Sequence, residues 1–339
     1  MSKIYLLPNT KQYKANLHCH TTLSDGKIKP EDVVAGYKTH GYDILAITDH
    51  EYITNHQHMS DEKFIILTGY EISLYRDYPA SVSWRDRTYC HLNLYAKNPY
   101  EDTHVCFAPK YLRDCPVTKE FIDTLKYSGD IYERSYDNAQ DVIDKAKARG
   151  YIVCLNHPYW GMQAREDYLG LKGLFAMEVY NSGGSALAGY NSVIDQNLLN
   201  DYCYATDNGL DVAPIAADDN HNYNADIENS DSFHGFTMVC TDNFTYGGVI
   251  DALENHNFYA STGVLIKEAS VIDGKTVHVE CSDCDMILVY FGGIRWAFKE
   301  QNGITEADFE IPEGAKHIRI MCTSSNKKNF AITKTYKLQ

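Results

Sequence analysis

Eight short apolar runs recur through roughly the first 260 residues of this chain: Tyr13–Leu17, Tyr42–Thr48, Phe64–Thr68, Cys90–Tyr95, Tyr151–Asn156, Phe175–Tyr180, Val212–Ala217 and Phe236–Cys240. Each has the length of a strand, and several are separated by stretches with helical spacing. One helix is predicted from Pro30, a favoured first-turn residue, with Val33, Val34 and Tyr37 on one face and Gly41 at its end. A second is predicted from Asp137 as N-cap, with Val142, Ile143 and Ala146 inward and Gly150 closing it. Third and fourth helices are predicted over roughly Tyr190–Asn208 and Gly247–His256. Strands alternating with helices imply a parallel sheet, and seven or eight of them imply a closed barrel. The expected class is therefore α/β. Residues 96–136 do not fit the rhythm and read as an insertion or a long loop.

From about Leu265 the pattern changes. Asp273-Gly274, Asn302-Gly303 and Glu313-Gly314 separate alternating runs such as Val277, Val279, Cys281 and Ile318, Ile320, Cys322. The expected organisation is a barrel over residues 1–264 and a small all-β, sandwich-like tail over residues 265–339. A unit that small gains by packing on the barrel. The tail carries no catalytic constellation.

Composition narrows the function classes. The chain of 339 residues is 44% apolar and 23% charged, which is globular. No stretch approaches the ~20 uninterrupted apolar residues of a membrane span. The 31 basic and 46 acidic side chains give a net charge of −15, so there is no broad basic footprint for duplex nucleic acid. Met1-Ser2-Lys3-Ile4 opens a short β-like stretch without signal-peptide features, and the expected location is cytoplasmic. The ten cysteines are scattered and read as buried free thiols. Cys281-Ser-Asp-Cys284 is the one C-x-x-C, a weak signal without a second pair or a neighbouring histidine. Fourteen histidines in so acidic a chain prompt a search for metal ligands.

That search finds a pattern. His18-Cys19-His20 follows the first run, and in extended chain both imidazoles share a face while Cys19 points the other way. Asp25 follows in Leu23-Ser-Asp25-Gly26, and Thr48-Asp49-His50 ends the second run. Glu71 follows Phe64-Ile-Ile-Leu-Thr-Gly-Tyr, His157 follows Tyr151-Ile-Val-Cys-Leu-Asn, and Asp219-Asn220-His221 repeats the two-apart geometry. Potential ligands thus gather at the C-terminal ends of successive strands, where barrel active sites form. His91 is the exception, because it starts its apolar run. Of the other histidines, His56-Gln-His58 lies in a polar loop, and His40, His104, His234 and His256 lack partners at informative spacing.

His18-x-His20, Thr48-Asp49-His50, Gly69-x-Glu71, His91, Asn156-His157-Pro158 and Asp219-x-His221, in this order, resemble the PHP (polymerase and histidinol phosphatase) superfamily of metal-dependent phosphoesterases. The resemblance covers roughly residues 10–262. Asn257-Phe-Tyr-Ala-Ser-Thr-Gly-Val264 looks like the subgroup whose barrel ends in such a segment before a C-terminal β module. The resemblance implies a distorted (β/α)7 TIM-like barrel holding two to three divalent ions. By motif, His18, His20, Glu71 and Asp219 would hold the first ion, with Glu71 bridging to a second completed by His91 and His157. Asp25, His50 and His221 would hold the third. Some family members have His where this chain has Asp25. A harder oxygen ligand there favours manganese, iron or magnesium over an all-zinc centre, with zinc retained among the candidates.

The chemistry such a centre implies is hydrolysis of a small phosphate ester, with hydroxide formed on the ions attacking in line. Glu71 is the expected catalytic ligand, and His221 or Asp25 the expected aid to the leaving group. Three divalent ions against the three carboxylates 25, 71 and 219 would leave the site locally cationic, so the acidic chain does not exclude an anionic substrate. Arg134 and Arg165 are the expected phosphate clamps, with Arg85 and Arg87 next. Tyr159, Trp160 and Tyr180 are candidate stacking groups, Asn181 a supporting residue, and Asp49 a residue orienting His50 or nearby backbone. Three alternatives stand beside this reading. They are an exonuclease or phosphodiesterase acting on short nucleic acid, a metal-dependent amidohydrolase, and a non-enzymatic metal-loaded binding module.

Overall fold

The computed structural model describes residues 2–76, 78–79, 81–83, 86–183, 191–293, 295–324 and 329–338, apart from the side chains at 114 and 191–196. Its strands are β1 (Lys3–Tyr5), β2 (Gln12–Asn16), β3 (Ile44–Ile47), β4 (Ile65–Tyr75), β5 (Tyr89–Ala96), β6 (Thr103–His104), β7 (Lys126–Tyr127), β8 (Tyr151–Asn156), β9 (Leu174–Asn181), β10 (Ala213–Ala217), β11 (Phe236–Cys240) and β12 (Phe258–Ser261). They continue as β13 (Ile266–Ile272), β14 (Thr276–Gly292), β15 (Arg295–Glu310), β16 (His317–Thr323), β17 (Phe330–Thr333) and β18 (Tyr336–Lys337). The helices are α1 (Pro30–Thr39), α2 (Lys119–Ile122), α3 (Ala139–Arg149), α4 (Arg165–Leu169), α5 (Asn191–Asp207) and α6 (Tyr246–Glu254).

Local chemistry explains the helices that flank the site. In α1, Pro30 occupies the first turn, Glu31 and Asp32 complement the N-terminal dipole, and Val33, Val34 and Tyr37 are buried. The chain leaves it through Gly41 at φ 71°. In α3, Val142, Ile143 and Ala146 face inward and Gly150 closes the helix at φ 95°. Its entry differs from the expected Asp137 cap. A capping box between Ser135 and Asn138 starts a short 3-10 turn, and Asp137 lies inside that turn.

The hydrogen-bonded order is β1-β13-β14-β16-β17-β12-β11-β2-β3-β4-β5-β8-β9-β10, with β15 added on β14 and β18 on β16. β2, β3 and β4 run parallel, as do β8, β9 and β10. Between these trios, β5 is antiparallel to both β4 and β8. β11 is likewise antiparallel to β2. The expected α/β class holds, with a mixed sheet and, among the described residues, no closed ladder for the expected distorted (β/α)7 barrel. Residues 76–88 lack the apolar helical stripe that a crossover helix needs, which suits the antiparallel return of β5 onto β4.

Among the described residues no ladder joins β10 back to β11 or β2. Single polar contacts span that gap instead. Thr237 Oγ1 accepts from Ala216 N at 3.2 Å and donates to Ala216 O at 3.1 Å. Asp218 N donates to Asn16 Oδ1 at 3.0 Å, Asp219 N to His18 O at 2.9 Å, and His20 N to Asn220 O at 3.1 Å.

Alternation along the strands divides the core. Ile44, Ala46, Ile65, Leu67, Ala213 and Ile215 pack together in one cluster, whereas Leu45, Ile47 and Ile66 belong to another on the opposite face. Residues 96–136 form the paired β6–β7, α2 and irregular turns, with Phe107 and Leu112 packed on Tyr52. The C-terminal strands keep the expected alternation, and Val277, Val279, Cys281, Ile318, Ile320 and Cys322 are all fully buried. One predicted turn is corrected. Asn302 and Gly303 lie within β15, where Glu300 pairs Met286 and Ile304 pairs Cys284, so the extra residues form a bulge with Gly303 at φ 74°. The sheet also runs on across position 264: β17 pairs β12 with Ile332 opposite Ala260, and β1 pairs β13 with Ile4 opposite Val271. Among the described residues, no helix is long and apolar enough to cross a membrane.

Candidate metal centre

The strand ends explain how residues remote in sequence meet. His18 and His20 leave β2 with their Nε2 atoms 3.1 Å apart, while Cys19 turns into the apolar core. Thr48 N donates to Cys19 O at 2.8 Å, which places His50 beside that pair. Glu71 lies within β4, and His91 near the start of β5 pairs opposite Ser73 and Asn156. The reversal of β5 resolves the anomaly of His91. Its N-terminal end lies where its neighbours' C-terminal ends lie, so a histidine that starts a run joins ligands that end theirs.

All nine expected ligands come together. Asp219 Oδ1 is 2.9 Å from His20 Nε2 and 3.1 Å from His18 Nε2. Glu71 Oε1 is 3.1 Å from His91 Nδ1, 3.3 Å from His18 Nε2 and 3.4 Å from His157 Nε2. Glu71 Oε2 is 3.0 Å from His50 Nδ1, and Asp25 Oδ1 is 3.3 Å from His221 Nε2 and 3.7 Å from His50 Nε2. Three groups can each hold an ion: His18, His20 and Asp219; His18, Glu71 and His157; and His20, Asp25, His50 and His221. These groups differ from the expected sets, because His18 and His20 each belong to two of them and His91, 3.1 Å from Glu71, belongs to none.

The donor set fits divalent ions. Atoms sharing an ion at about 2.1 Å lie about 3.0–3.4 Å apart, the range seen between these nitrogens and oxygens. Glu71 Oε2 and Asp219 Oδ1 are buried and make no hydrogen bond despite histidine nitrogens at 3.0 and 2.9 Å. Groups that approach so closely without hydrogen-bond alignment converge on a shared point. Mixed imidazole and carboxylate donors exclude a thiolate structural zinc site.

Electrostatics agree. Burial disfavours charge on His20, but Asp219 and Glu71 outweigh it and hold its pKa up at about 10. Burial likewise opposes charge on His18, and Asp219, Glu71 and Glu178 raise it well above the usual range. Burial would raise the Glu71 carboxyl, yet His91, His18 and His50 bring it well below the usual carboxylate range. For Asp25, His221 and His50 overcome burial in the same direction. His91 differs, since burial dominates and lowers it. Asp25 is also the most open carboxylate, its side chain 45% exposed against 1% for Glu71.

Supporting residues fix this arrangement. Asn156 Nδ2 donates to Glu71 Oε1 at 2.7 Å. Asp49 accepts from Thr21 N at 2.8 Å, Thr21 Oγ1 at 2.8 Å and Ser24 Oγ at 2.6 Å, so it shapes the Asp25 loop. Gly26 packs so closely there that a Cβ would stand 2.7 Å from the His20 carbonyl. His221 N donates to Asp231 Oδ2 at 2.9 Å, and its ring Nδ1 lies 2.9 Å from Asp219 O. A carbonyl only accepts, so Nδ1 carries the proton. Backbone at His157 (φ 22°) and Asp219 (φ 49°) lies in the sparsely populated left-handed region, where strain gathers at functional sites.

The expected clamps sit differently. Arg134 is buried, ion-paired with Glu51 and stacked 3.7 Å over the Tyr111 ring. Glu51 Oε1 in turn accepts from Ser73 N at 3.1 Å, so Arg134 braces the segment after His50. Arg165 Nε pairs with Asp201 at 2.8 Å, and Arg87 donates to Val82 O. Arg85 lies outside the described residues. Of the stacking candidates, Trp160 has its ring 5.1 Å from His157 and 5.7 Å from His91. Tyr180 meets Phe330 in the C-terminal sheet, and Tyr159 is exposed. Two residues escaped the sequence reading: Tyr223, stacked 5.0 Å from His221, and Glu178, buried against His18. A carboxylate inside the apolar run Phe175–Tyr180 was the signal available for Glu178. In the C-terminal sheet, Cys281 and Cys284 have their sulfurs 3.6 Å apart, both buried.

Residues 16–107 match the PHP domain family. A 5′-3′ exoribonuclease from Haemophilus influenzae is 30% identical over 166 residues, 48% of this chain and 57% of that protein. The chain therefore matches little more than half the length of that relative. A two-domain protein from Bacteroides vulgatus, containing a predicted PHP-like metal-dependent phosphoesterase, is 15% identical with a TM-score of 0.45, over 98% of this chain and 96% of that one. An amidohydrolase from Chromobacterium violaceum with bound sulfate is 16% identical with a TM-score of 0.37, over 61% and 87% of the two chains. The family match carries His18, His20, Asp25, His50, Glu71 and His91, and His157, Asp219 and His221 complete the same cluster in space. Over residues 16–107 the chain is thus similar to the PHP domain family, and the whole cluster is a candidate centre for divalent metal ions.

Proposed function

We propose that this protein is a metal-dependent phosphoesterase that releases phosphate from a small phosphorylated substrate, using two to three divalent ions of the manganese, iron, zinc or magnesium type. The observation that carries the reading is the convergence of eight N and O donor residues in three groups, with His91 beside Glu71 and buried carboxylate oxygens left without hydrogen bonds. Ions held there would supply an activated water and neutralise charge on the phosphoryl group.

The chain's own residues do the rest. Glu71 faces two of the three groups and ties their geometry together. Asp25 and His221 flank the open side, next to where a leaving group would depart. Asp25 is held ionised, so it orients rather than donates. Arg134 and Arg165 already serve carboxylates, which leaves phosphate recognition chiefly to the ions. Trp160 and Tyr223 flank the centre on two sides and could receive a flat group such as a base.

A phosphodiesterase acting on short nucleic acid is the second reading, supported by those rings and by the identity to an exoribonuclease. Manganese-loaded protein assayed on p-nitrophenyl phosphate, its bis-ester and a nucleotide panel separates the two. Monoester turnover with little diester turnover supports the first reading. Preferential diester turnover supports the second, and no phosphate release from any of them overturns both.

A further inference from the structure

Glu178 is fully buried in β9 and belongs to none of the three ion-holding groups. Its Oε1 lies 2.7 Å from His18 Nδ1. Its Oε2 accepts from His157 N at 2.9 Å and from Asn181 Nδ2 at 2.9 Å. The Asn181 amide also donates to Asp219 Oδ2 at 3.0 Å. One carboxylate therefore reaches three ligand-bearing segments, those after β2, β8 and β10. Of these, the segments after β2 and β10 lie on the two sides of the stretch that has no ladder among the described residues.

We propose that Glu178 is a positioning residue for the metal centre, holding His18 with its proton on Nδ1 and its Nε2 lone pair toward the ions. An ionised carboxylate only accepts, so the short contact fixes the tautomer. The Nε2 atom thus freed lies beside Asp219, His20 and Glu71. The same side chain sets His157 through its backbone and Asp219 through Asn181. A neutral amide cannot replace it, because Gln offers one acceptor and one donor to a site that presents only donors. Whichever way the amide turns, its NH2 faces an N–H.

This inference rests on the metal-dependent reading, and the test keeps the two apart. Manganese affinity is measured by chelator competition for the wild type, Glu178→Gln and Glu178→Asp, with circular dichroism as a folding check. Zinc-loaded wild-type protein labelled with 15N at histidine is examined by long-range proton–nitrogen NMR. Glu178→Gln should bind manganese about 10–100-fold more weakly with its fold retained. Glu178→Asp, which keeps the charge and the acceptors, should recover part of the loss. The His18 signals should show a proton on Nδ1. A wild type that binds no divalent ion overturns the metal reading and this inference together. Wild-type binding with Glu178→Gln within about twofold of it overturns the inference alone. If Glu178→Gln does not fold, the wild-type spectrum decides, and an unprotonated His18 Nδ1 refutes the proposal.

Discussion

The strand ends of the α/β sheet and the interior of the C-terminal sheet are equally buried and built on opposite principles. The first packs His18, His20, Glu71, Glu178 and Asp219 against one another, with orphaned carboxylate oxygens and left-handed backbone at His157 and Asp219. The second packs Val277, Val279, Ile287, Val289, Ile318 and Ile320, all fully buried, in plain alternation. Buried charge without ions is costly, whereas an alternating apolar sheet stabilises without help. Such local conflicts mark functional sites, and the regular region next to them supplies the stability they lack.

The sharpest way to break this contrast is at Glu71. Glu71→Gln should keep the fold and lower kcat by about a thousandfold or more, since it removes the carboxylate that serves two groups of ligands. Near-normal phosphate release from a fully loaded variant would refute the assignment. Gly183→Ala comes next. A Cβ there would stand 2.1 Å from the Asp219 carbonyl, so the ligand must shift. Metal affinity should fall at least about tenfold in a protein whose C-terminal sheet keeps its amide-exchange protection.

The pH response should also separate the regions. The raised His20 pKa of about 10 means that the ion-free centre gains stability from protonation. That gain is complete below the ordinary histidine pKa and is lost as pH rises toward 10. Ion binding needs the neutral ring and runs the other way. From pH 6.5 to 9, the Tm of metal-free protein should fall while the Tm increase given by manganese grows, with protons released on loading. A manganese effect independent of pH would contradict the protonation states assigned to the centre.

In the C-terminal sheet, Ile320→Ala should cost about 2–5 kcal/mol by denaturant titration while leaving kcat unchanged. A selective loss of kcat would show that this sheet shapes the centre. The smallest effect belongs to Trp296→Ala at an exposed position, within about 0.5 kcal/mol.

Most of the candidate ligands were legible in the sequence because they follow the C-terminal end of an apolar run, a position that strand periodicity reveals. His91 fitted only once β5 proved reversed, and direction is set by the connection, which periodicity does not encode. The carboxylate partners of Arg134 and Arg165 were hidden for a similar reason. A loop position says nothing about whether Glu51 or Asp201 will meet the guanidinium. Asn302-Gly303 has the composition of a hairpin turn, but tertiary pairing with Cys284 and Met286 made it a bulge. Closure of the barrel depended on β10 meeting β11 or β2, a long-range event beyond local pattern.

The pairing of β17 with β12 and of β1 with β13 has a consequence for biosynthesis. While the ribosome is still making residues near 300, the outer edge of β12 faces solvent, because its partner has yet to emerge. β1 waits through more than two hundred residues for β13. Open strand edges invite pairing with other chains, so the nascent protein is vulnerable to aggregation until β13 and β17 are delivered. Residues 330–333 complete a sheet whose ligand-bearing strands were synthesised long before.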